Sequence, residues 1–163
     1  MQGDGAVAGI EENDLISKEQ FGFRTKHSTI DQLILTYDEI TKLCDQGLIV
    51  DLVFFDYSKA FDRVNIAVLL DKLFDMGICG LNLDWIRSFL VRTMRVRVAG
   101  LLSEPRTVES GVPQGSVLGP VLFLLYINHV VNELTCNVKI FADDIKIYLG
   151  FSLLPGVVAS TVL

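Results

Sequence analysis

The chain has 163 residues, half of them hydrophobic, and carries 14 Lys and Arg against 20 Asp and Glu for a net charge of −6. That length holds one domain with a real core, and the apolar richness fits a core cut from something larger. The acidity counts against unaided tight binding to DNA or RNA, where phosphate contacts dominate affinity; it leaves room for a metal-dependent site, which needs clustered carboxylates.

Cys44, Cys79 and Cys136 are far apart, odd in number and without metal-ligand spacing. This predicts reduced thiols and an intracellular setting, nuclear or cytoplasmic. No basic region followed by an apolar run opens the sequence, so no signal peptide is read. The apolar stretch from Val117 to Ile127 contains Gly119 and Pro120 and is too short to span a bilayer, so no membrane partner is expected. Residues 1–13, Gly/Ala-rich at their start, read as disordered. Residues 14–150 read as the folded domain, and residues 151–163 as an apolar tail.

Ser28 and Thr29 can cap a helix, with Asp31 and Gln32 near the third position. That helix carries Ile30, Leu33, Ile34, Tyr37, Ile40, Thr41 and Cys44 on one stripe, which predicts its buried face, and Gly47 is its stop. Leu48 to Phe55 is almost wholly apolar and predicts a strand buried on both faces, ending at Asp56. A second helix follows Asn65, with Ile66, Leu69, Leu70, Leu73 and Phe74 inward, and Gly77 ends it. A third follows Asn82, with Leu83, Ile86, Phe89 and Leu90 inward. Met94 to Val98 alternates and, with Gly100 and the stretch Arg106 to Ser110, predicts a hairpin. Arg95 and Arg97 on that strand read as a solvated edge, with contact to a nucleic-acid backbone phosphate as the alternative. Gly111 to Ser116 is a loop, and an apolar helix is expected from Val117 to about Leu134. Helices and strands interleave without strict alternation, so the fold class is α+β.

The last predicted element is Val138-Lys-Ile-Phe-Ala-Asp-Asp-Ile-Lys-Ile-Tyr-Leu149. Apolar residues alternate on both sides of Asp143 and Asp144, the pattern of a tight β-hairpin with the acidic pair at its break. Two adjacent carboxylates repel each other, and a bound divalent cation would relieve this; Mg²⁺ suits hard oxygen donors with room left for water and phosphate. The plain alternative is an Asp-Asp turn chosen for turn chemistry. A Ca²⁺-binding hairpin has little support, because no dense ligand loop is present.

Three separated segments fit one chemistry: Phe54-Phe-Asp-Tyr-Ser-Lys-Ala-Phe-Asp62, Ser110-Gly-Val-Pro-Gln-Gly-Ser-Val-Leu-Gly-Pro120 and Phe141-Ala-Asp-Asp144. Together they resemble the reverse transcriptase palm of non-LTR retrotransposons. Gln20-Phe-Gly-Phe-Arg24 with Ser28-Thr29 resembles the family's finger motif, and Tyr126-Ile-Asn128 is also typical. The resemblance runs from about Asn13 to Leu149. It implies a palm-like antiparallel sheet packed on helices, with the acidic hairpin beside the Leu48–Asp56 strand and part of the fingers. It implies RNA-directed DNA polymerase activity, with an RNA template, a DNA primer and dNTPs as partners. Asp56, Asp143 and Asp144 would be the catalytic carboxylates and, with the backbone carbonyl of Tyr57, would hold two Mg²⁺ ions. Phe61 would be the steric gate favouring dNTP over NTP; its plain reading is core packing. Gly111, Pro113, Gln114 and Gly115 resemble the loop under the template base and incoming nucleotide, where glycine permits close approach. Arg24 and Lys26 would meet the triphosphate, or else form a solvated surface pair. Asp62 would cap the next helix or pair with Arg63.

Measured against the family, the chain is expected to lack the upstream finger segment, the later palm segments and the thumb of a longer polyprotein. Apolar surface is therefore expected on the open side of the sheet. His129 and Ile145 stand where relatives often carry other residues, and His27 reads as a loop residue. Two functions remain in view: a polymerase domain active within a longer protein, and an inactive remnant acting at most as an interaction module.

Overall fold

The computed structural model describes Asn13 and residues 15–152. In chain order the elements are α1 (Thr29–Asp45), β1 (Ile49–Asp56), a 3-10 turn (Ala60–Arg63), α2 (Ile66–Asp75), α3 (Leu81–Leu90), and four two-residue strands. These are β2 (Thr93–Met94), β3 (Arg97–Val98), β4 (Leu101–Leu102) and β5 (Arg106–Thr107). Then come α4 (Leu118–Ile127), α5 (Val130–Glu133), β6 (Asn137–Phe141) and β7 (Asp144–Phe151). Every named strand pairs antiparallel, so helices and an antiparallel sheet make an α+β fold. The disordered segment and most of the apolar tail expected at the ends lie outside the described residues. The elements divide into two compact units.

The first unit holds residues 15–16 and 58–129. Its core joins Val64, Leu69, Leu70 and Leu73 to Ile86, Leu90, Val112 and the α4 run Val121 to Leu125. Helix α4 is apolar all round, and a helix of that kind is stable only when covered all round; six of its ten residues are buried. Asn65 caps α2 by accepting from the Val68 N–H at 3.1 Å. The helix ends at Gly77, whose φ of +87° suits glycine. Phe74, expected inward, is exposed. Helix α3 begins after Gly80, ahead of the expected Asn82. The predicted hairpin is present but interrupted: β2 pairs β5, and β3 pairs β4 across Ala99-Gly100. Both turn residues have positive φ, the signature of a type I′ hairpin turn. The single long helix expected from Val117 to Leu134 stops at Ile127. There the Asn128 side chain donates to the Leu15 carbonyl at 3.0 Å, a tertiary bond that local periodicity cannot reveal.

The second unit holds residues 17–57 and 130–152. Its sheet has the order β1-β7-β6, so β7 is central and β1 is an edge. The expectation that β1 is buried on both faces is therefore corrected. Ile49, Leu52, Val53, Phe54 and Phe55 are all exposed, Phe54 by 65%. Their apolar surface is only partly covered among the described residues, which agrees with the expected open apolar side.

Helix α1 is capped as read: the Ser28 Oγ accepts from the Asp31 N–H at 3.1 Å, and Gly47 follows the helix with φ +77°. Its orientation is the reverse of the expectation. Ile30, Leu33, Ile34 and Tyr37 are exposed, Tyr37 by 74%, while Gln32 and Thr36 are buried. The cause lies in the sheet. Lys139, Lys146 and Tyr148 are on one face by register, and the helix meets them with polar partners. Lys146 Nζ donates to Gln32 Oε1 at 2.5 Å. The Tyr148 hydroxyl donates to Glu39. Lys139, 7% exposed, pairs with Glu19 at 2.5 Å and Glu39 at 3.0 Å. A buried ammonium is tolerated only when paired in this way. Burial works against its charge, and the two carboxylates outweigh that and hold its pKa above the ordinary lysine value. Burial likewise opposes the Glu39 charge, but the Tyr148 and Lys139 bonds prevail and keep its carboxyl below the usual range. The Tyr148 phenol is pushed up, first by burial and then by its bond to Glu39.

Candidate functional site

The acidic hairpin forms where the alternation places it, with one shift. Phe141 pairs with Asp144 in register, so the two-residue turn is Ala142-Asp143, and Asp144 is the first residue of β7 rather than part of the break. Ala142 has φ +56°, the backbone that a type II′ turn requires at its first central position and normally fills with glycine. Asp143 is half-buried and Asp144 exposed.

Strand β1 runs the length of β7, and its last residue, Asp56, is the register partner of Asp144. Directly opposed residues of an antiparallel pair project to one face, with Cβ atoms ~4.5–5.5 Å apart. Two carboxylates so placed repel unless a cation lies between them. The second unit thus gathers Asp56, Asp143 and Asp144 at one end of its sheet, with Tyr57 next in the chain and half exposed. The donors are all hard oxygens, which fits Mg²⁺ in kind. Among the described residues, no group of three or more His, Cys, Asp or Glu is arranged to hold a metal ion. The Asp56–Asp144 pair is formed; convergence of a third ligand is not.

Arg24, read as a triphosphate contact, is turned to the backbone. Its Nη1 donates to the carbonyls of Ser17 at 2.9 Å and Gln20 at 3.2 Å, where it clamps the loop that precedes α1. Lys26 is exposed, with φ +59°.

The first unit holds the other candidates. Phe61 is half-buried and stacks on Phe123, centroids 4.2 Å apart at 19°, so core packing accounts for at least one of its faces. The segment 110–112 is laced to the residues of the 3-10 turn and to Val64. Gly111 N donates to Val64 O at 2.8 Å, Val112 N to Phe61 O at 3.0 Å and Ser110 Oγ to Asp62 O at 2.8 Å. At Gly111 a Cβ would stand 2.8 Å from the Asp62 Cα and carbonyl oxygen, and its φ is +86°. Close approach and positive φ both demand glycine there. Pro113 takes the Ser116 hydroxyl on its carbonyl at 2.6 Å, and Ser116 Oγ accepts from Gly119 N at 3.0 Å. Gln114 is exposed, and its Nε2 donates to Asp62 Oδ1 at 2.6 Å. Asp62 therefore orients Gln114; neither a helix cap nor an Arg63 pair is its bond. Gly115 is open on all sides at φ +77°.

Gln20 and Lys72 have no individual role in the sequence reading, and Asp62 has a different one. Gln20 is buried against the acidic hairpin. Lys72 donates to the Tyr126 carbonyl at 2.7 Å and lies 2.6 Å from His129 Nδ1, closing the end of α4; burial lowers its pKa. Asp62 carried a signal, its place one residue after Phe61, but nothing local pointed to Gln114.

One unit thus carries a strand ending in a carboxylate and paired with an Ala-Asp-Asp hairpin, and the other a laced Gly-Val-Pro-Gln-Gly loop. The chain belongs to the reverse transcriptase (RNA-dependent DNA polymerase) family, whose sequence model matches residues 6–151. Among its relatives is the probable RNA-directed DNA polymerase from transposon BS of Drosophila melanogaster, 33% identical over 149 residues, 85% of this chain and 16% of that protein. The RNA-directed DNA polymerase from mobile element jockey of the same organism is 35% identical over 138 residues, 79% of this chain and 15% of that protein. The probable polymerase from transposon X-element, also of Drosophila melanogaster, is 34% identical over 123 residues, 74% and 13% of the two chains. The chain thus spans about a sixth of the length of these curated relatives or less. Among the described residues no helix is long and apolar enough to cross a membrane.

Proposed function

We propose that this chain is the catalytic segment of an RNA-directed DNA polymerase that joins dNTPs to a primer 3′-hydroxyl on an RNA template. The observation that carries the reading is the register pair Asp56–Asp144 beside Asp143, in a chain of this family. Asp56, Asp143, Asp144 and the Tyr57 carbonyl would hold two Mg²⁺ ions. Bound there, Mg²⁺ makes the primer hydroxyl more acidic and neutralises charge on the triphosphate. The chain's own part is to fix the carboxylates on strand ends, where backbone pairing holds them, instead of on a free loop. Phe61, packed on Phe123, is a rigid wall of the kind that excludes a 2′-hydroxyl. Gln114 offers uncharged donors and acceptors to any base pair, with its rotamer held by Asp62. Gly111, Pro113 and Gly115 belong to the loop that would lie under the nucleotide and template. Lys26 is the exposed cation left to meet phosphate, since Arg24 is occupied with carbonyls. The three-stranded antiparallel sheet β1-β7-β6 with its acidic hairpin supports a palm-like architecture.

The test is primer extension by the 163-residue chain on an RNA template with dNTPs and Mg²⁺, beside Asp143→Ala. Incorporation that the variant abolishes supports the reading; equal incorporation by both refutes it. One observation favours a second reading, a fold retained without turnover: among the described residues no group of three or more His, Cys, Asp or Glu is arranged to hold a metal ion. A folded chain that gives no incorporation would support that reading instead.

A further inference from the structure

The turn that carries Asp143 has a defect for which the sequence supplies no local remedy. Its first central residue is alanine, held at φ +56°, where glycine is the residue without a steric penalty. Something outside the hairpin must hold it. Resting on the polymerase reading above, we propose that Gln20 is the positioning residue of the acidic hairpin: its carboxamide holds the Ala142 peptide and so sets where Asp143 and Asp144 project.

Gln20 is 3% exposed, and its side-chain amide is used on both sides. Oε1 accepts from the Ala142 N–H at 2.9 Å and from the Gly22 N–H at 2.8 Å. Nε2 donates to the Ala142 carbonyl at 3.4 Å. One carboxamide thus grips both polar groups of the turn residue, as an oxygen with two lone pairs and an NH₂ allow. The backbone on either side is fixed to the same strand: Ile140 N donates to Glu19 O and Phe21 N to Ile140 O, each at 2.8 Å. Gln20 is itself in a parallel bridge with Ile140. The approach is close enough that a Cβ on Gly22 would stand 2.3 Å from Ala142 N. Chemistry restricts the residue type. Asparagine lacks the reach, and glutamate would bury a charge beside two further carboxylates. The Gln-Phe-Gly-Phe-Arg segment is thereby a brace: Gln20 grips, Gly22 makes room, and Arg24 ties the loop back to Ser17 and Gln20.

The experiment uses Mn²⁺ as the probe, bound to the 163-residue chain and followed by electron paramagnetic resonance, together with hydrogen exchange of the Ala142 amide by NMR. The variants are Gln20→Met, which keeps volume and removes all three bonds, and the double variant Gln20→Met/Ala142→Gly. Loss of an outer-shell partner typically weakens metal binding about 10–100-fold, and that is the expected effect of Gln20→Met, with faster exchange at Ala142. Glycine takes positive φ unaided, so the double variant is expected to recover to within about threefold of wild type. Ala142→Gly also removes a dihedral cost from overall stability, so affinities are measured well below the thermal midpoint of each variant, where a residue acting only through general stability would leave the Mn²⁺ affinity of the folded chain unchanged. Wild-type Mn²⁺ affinity in Gln20→Met, or no recovery in the double variant, overturns the proposal. Should Gln20→Met fail to fold, the wild-type chain decides: an Ala142 amide exchanging as fast as an unstructured peptide overturns the brace, and a protected one supports it. A wild-type chain that binds no Mn²⁺ sinks the polymerase reading instead; a protected Ala142 amide that Gln20→Met exposes would still support the brace.

Discussion

Replacing Gly111 by alanine tests whether the Gly111–Gly115 loop is built by close backbone approach. Two costs add there. The φ of +86° penalises any Cβ, about 1–2 kcal/mol for a left-handed residue. The new Cβ would also sit 2.8 Å from both Cα and O of Asp62, and backbone cannot rotate away as a side chain can, so overpacking adds about 1–3 kcal/mol. Together these make roughly 2–5 kcal/mol, a large share of a typical domain's stability. At ~2–4 °C per kcal/mol for a chain of this size, the thermal midpoint should fall by about 10 °C. Gly115 is the matched control: its φ is +77° with nothing within 4 Å, so Gly115→Ala carries the dihedral cost alone. Thermal unfolding of the two variants by circular dichroism separates the terms. Equal losses at 111 and 115 would show that the contact with Asp62 does not exist and would refute the reasoning.

Three further outcomes are expected. Ile34→Ser on the exposed face of α1 should change stability by less than about 0.5 kcal/mol, against about 2–5 kcal/mol for Leu122→Ala in α4; a large loss at Ile34 in urea titrations would restore the buried stripe. Lys139→Met should cost about 3 kcal/mol at pH 7, because it strands two carboxylates. The signs differ for the two partners. Glu39, depressed, stabilises above its ordinary value of 4.5, and that is lost on acidification; Lys139, raised, stabilises below 10.5, and that is lost in alkali. Wild-type urea midpoints should fall on both sides of a neutral plateau, and the variant should sit lower with a shallower acid limb; an unchanged profile would remove the network from the account. On the polymerase reading proposed above, Asp62→Ala frees Gln114 and should raise the KM for dNTP with little change in thermal midpoint, since the bond is exposed; a fall in midpoint without a change in KM would make Asp62 merely structural.

Much of this was legible in the residues. Period-two alternation around Asp143 and Asp144 defined the hairpin because a side chain every second residue must face one side. Ser28, Asn65, Gly47 and Gly77 marked helix ends, since a cap acceptor and a positive φ are local demands. What failed was partner choice. Helix α1 has an apolar stripe and a polar stripe at the same period, and only the sheet face of Lys139, Lys146 and Tyr148 determines which is buried. An apolar run such as Ile49 to Phe55 reads alike in a central strand and an uncovered edge. Gln20 could not be found from its neighbours, because its bonds reach 122 residues along the chain.

The central claim is that the carboxylates of β1 and the hairpin form one divalent-cation site. Mn²⁺ binding to the 163-residue chain, compared among wild type, Asp56→Asn, Asp143→Asn and Asp144→Asn, tests it most directly. The account predicts saturable binding, displaced by Mg²⁺, that weakens about 10-fold or more in each variant. Binding that survives all three substitutions unchanged, or saturable binding absent from the wild type, would contradict it.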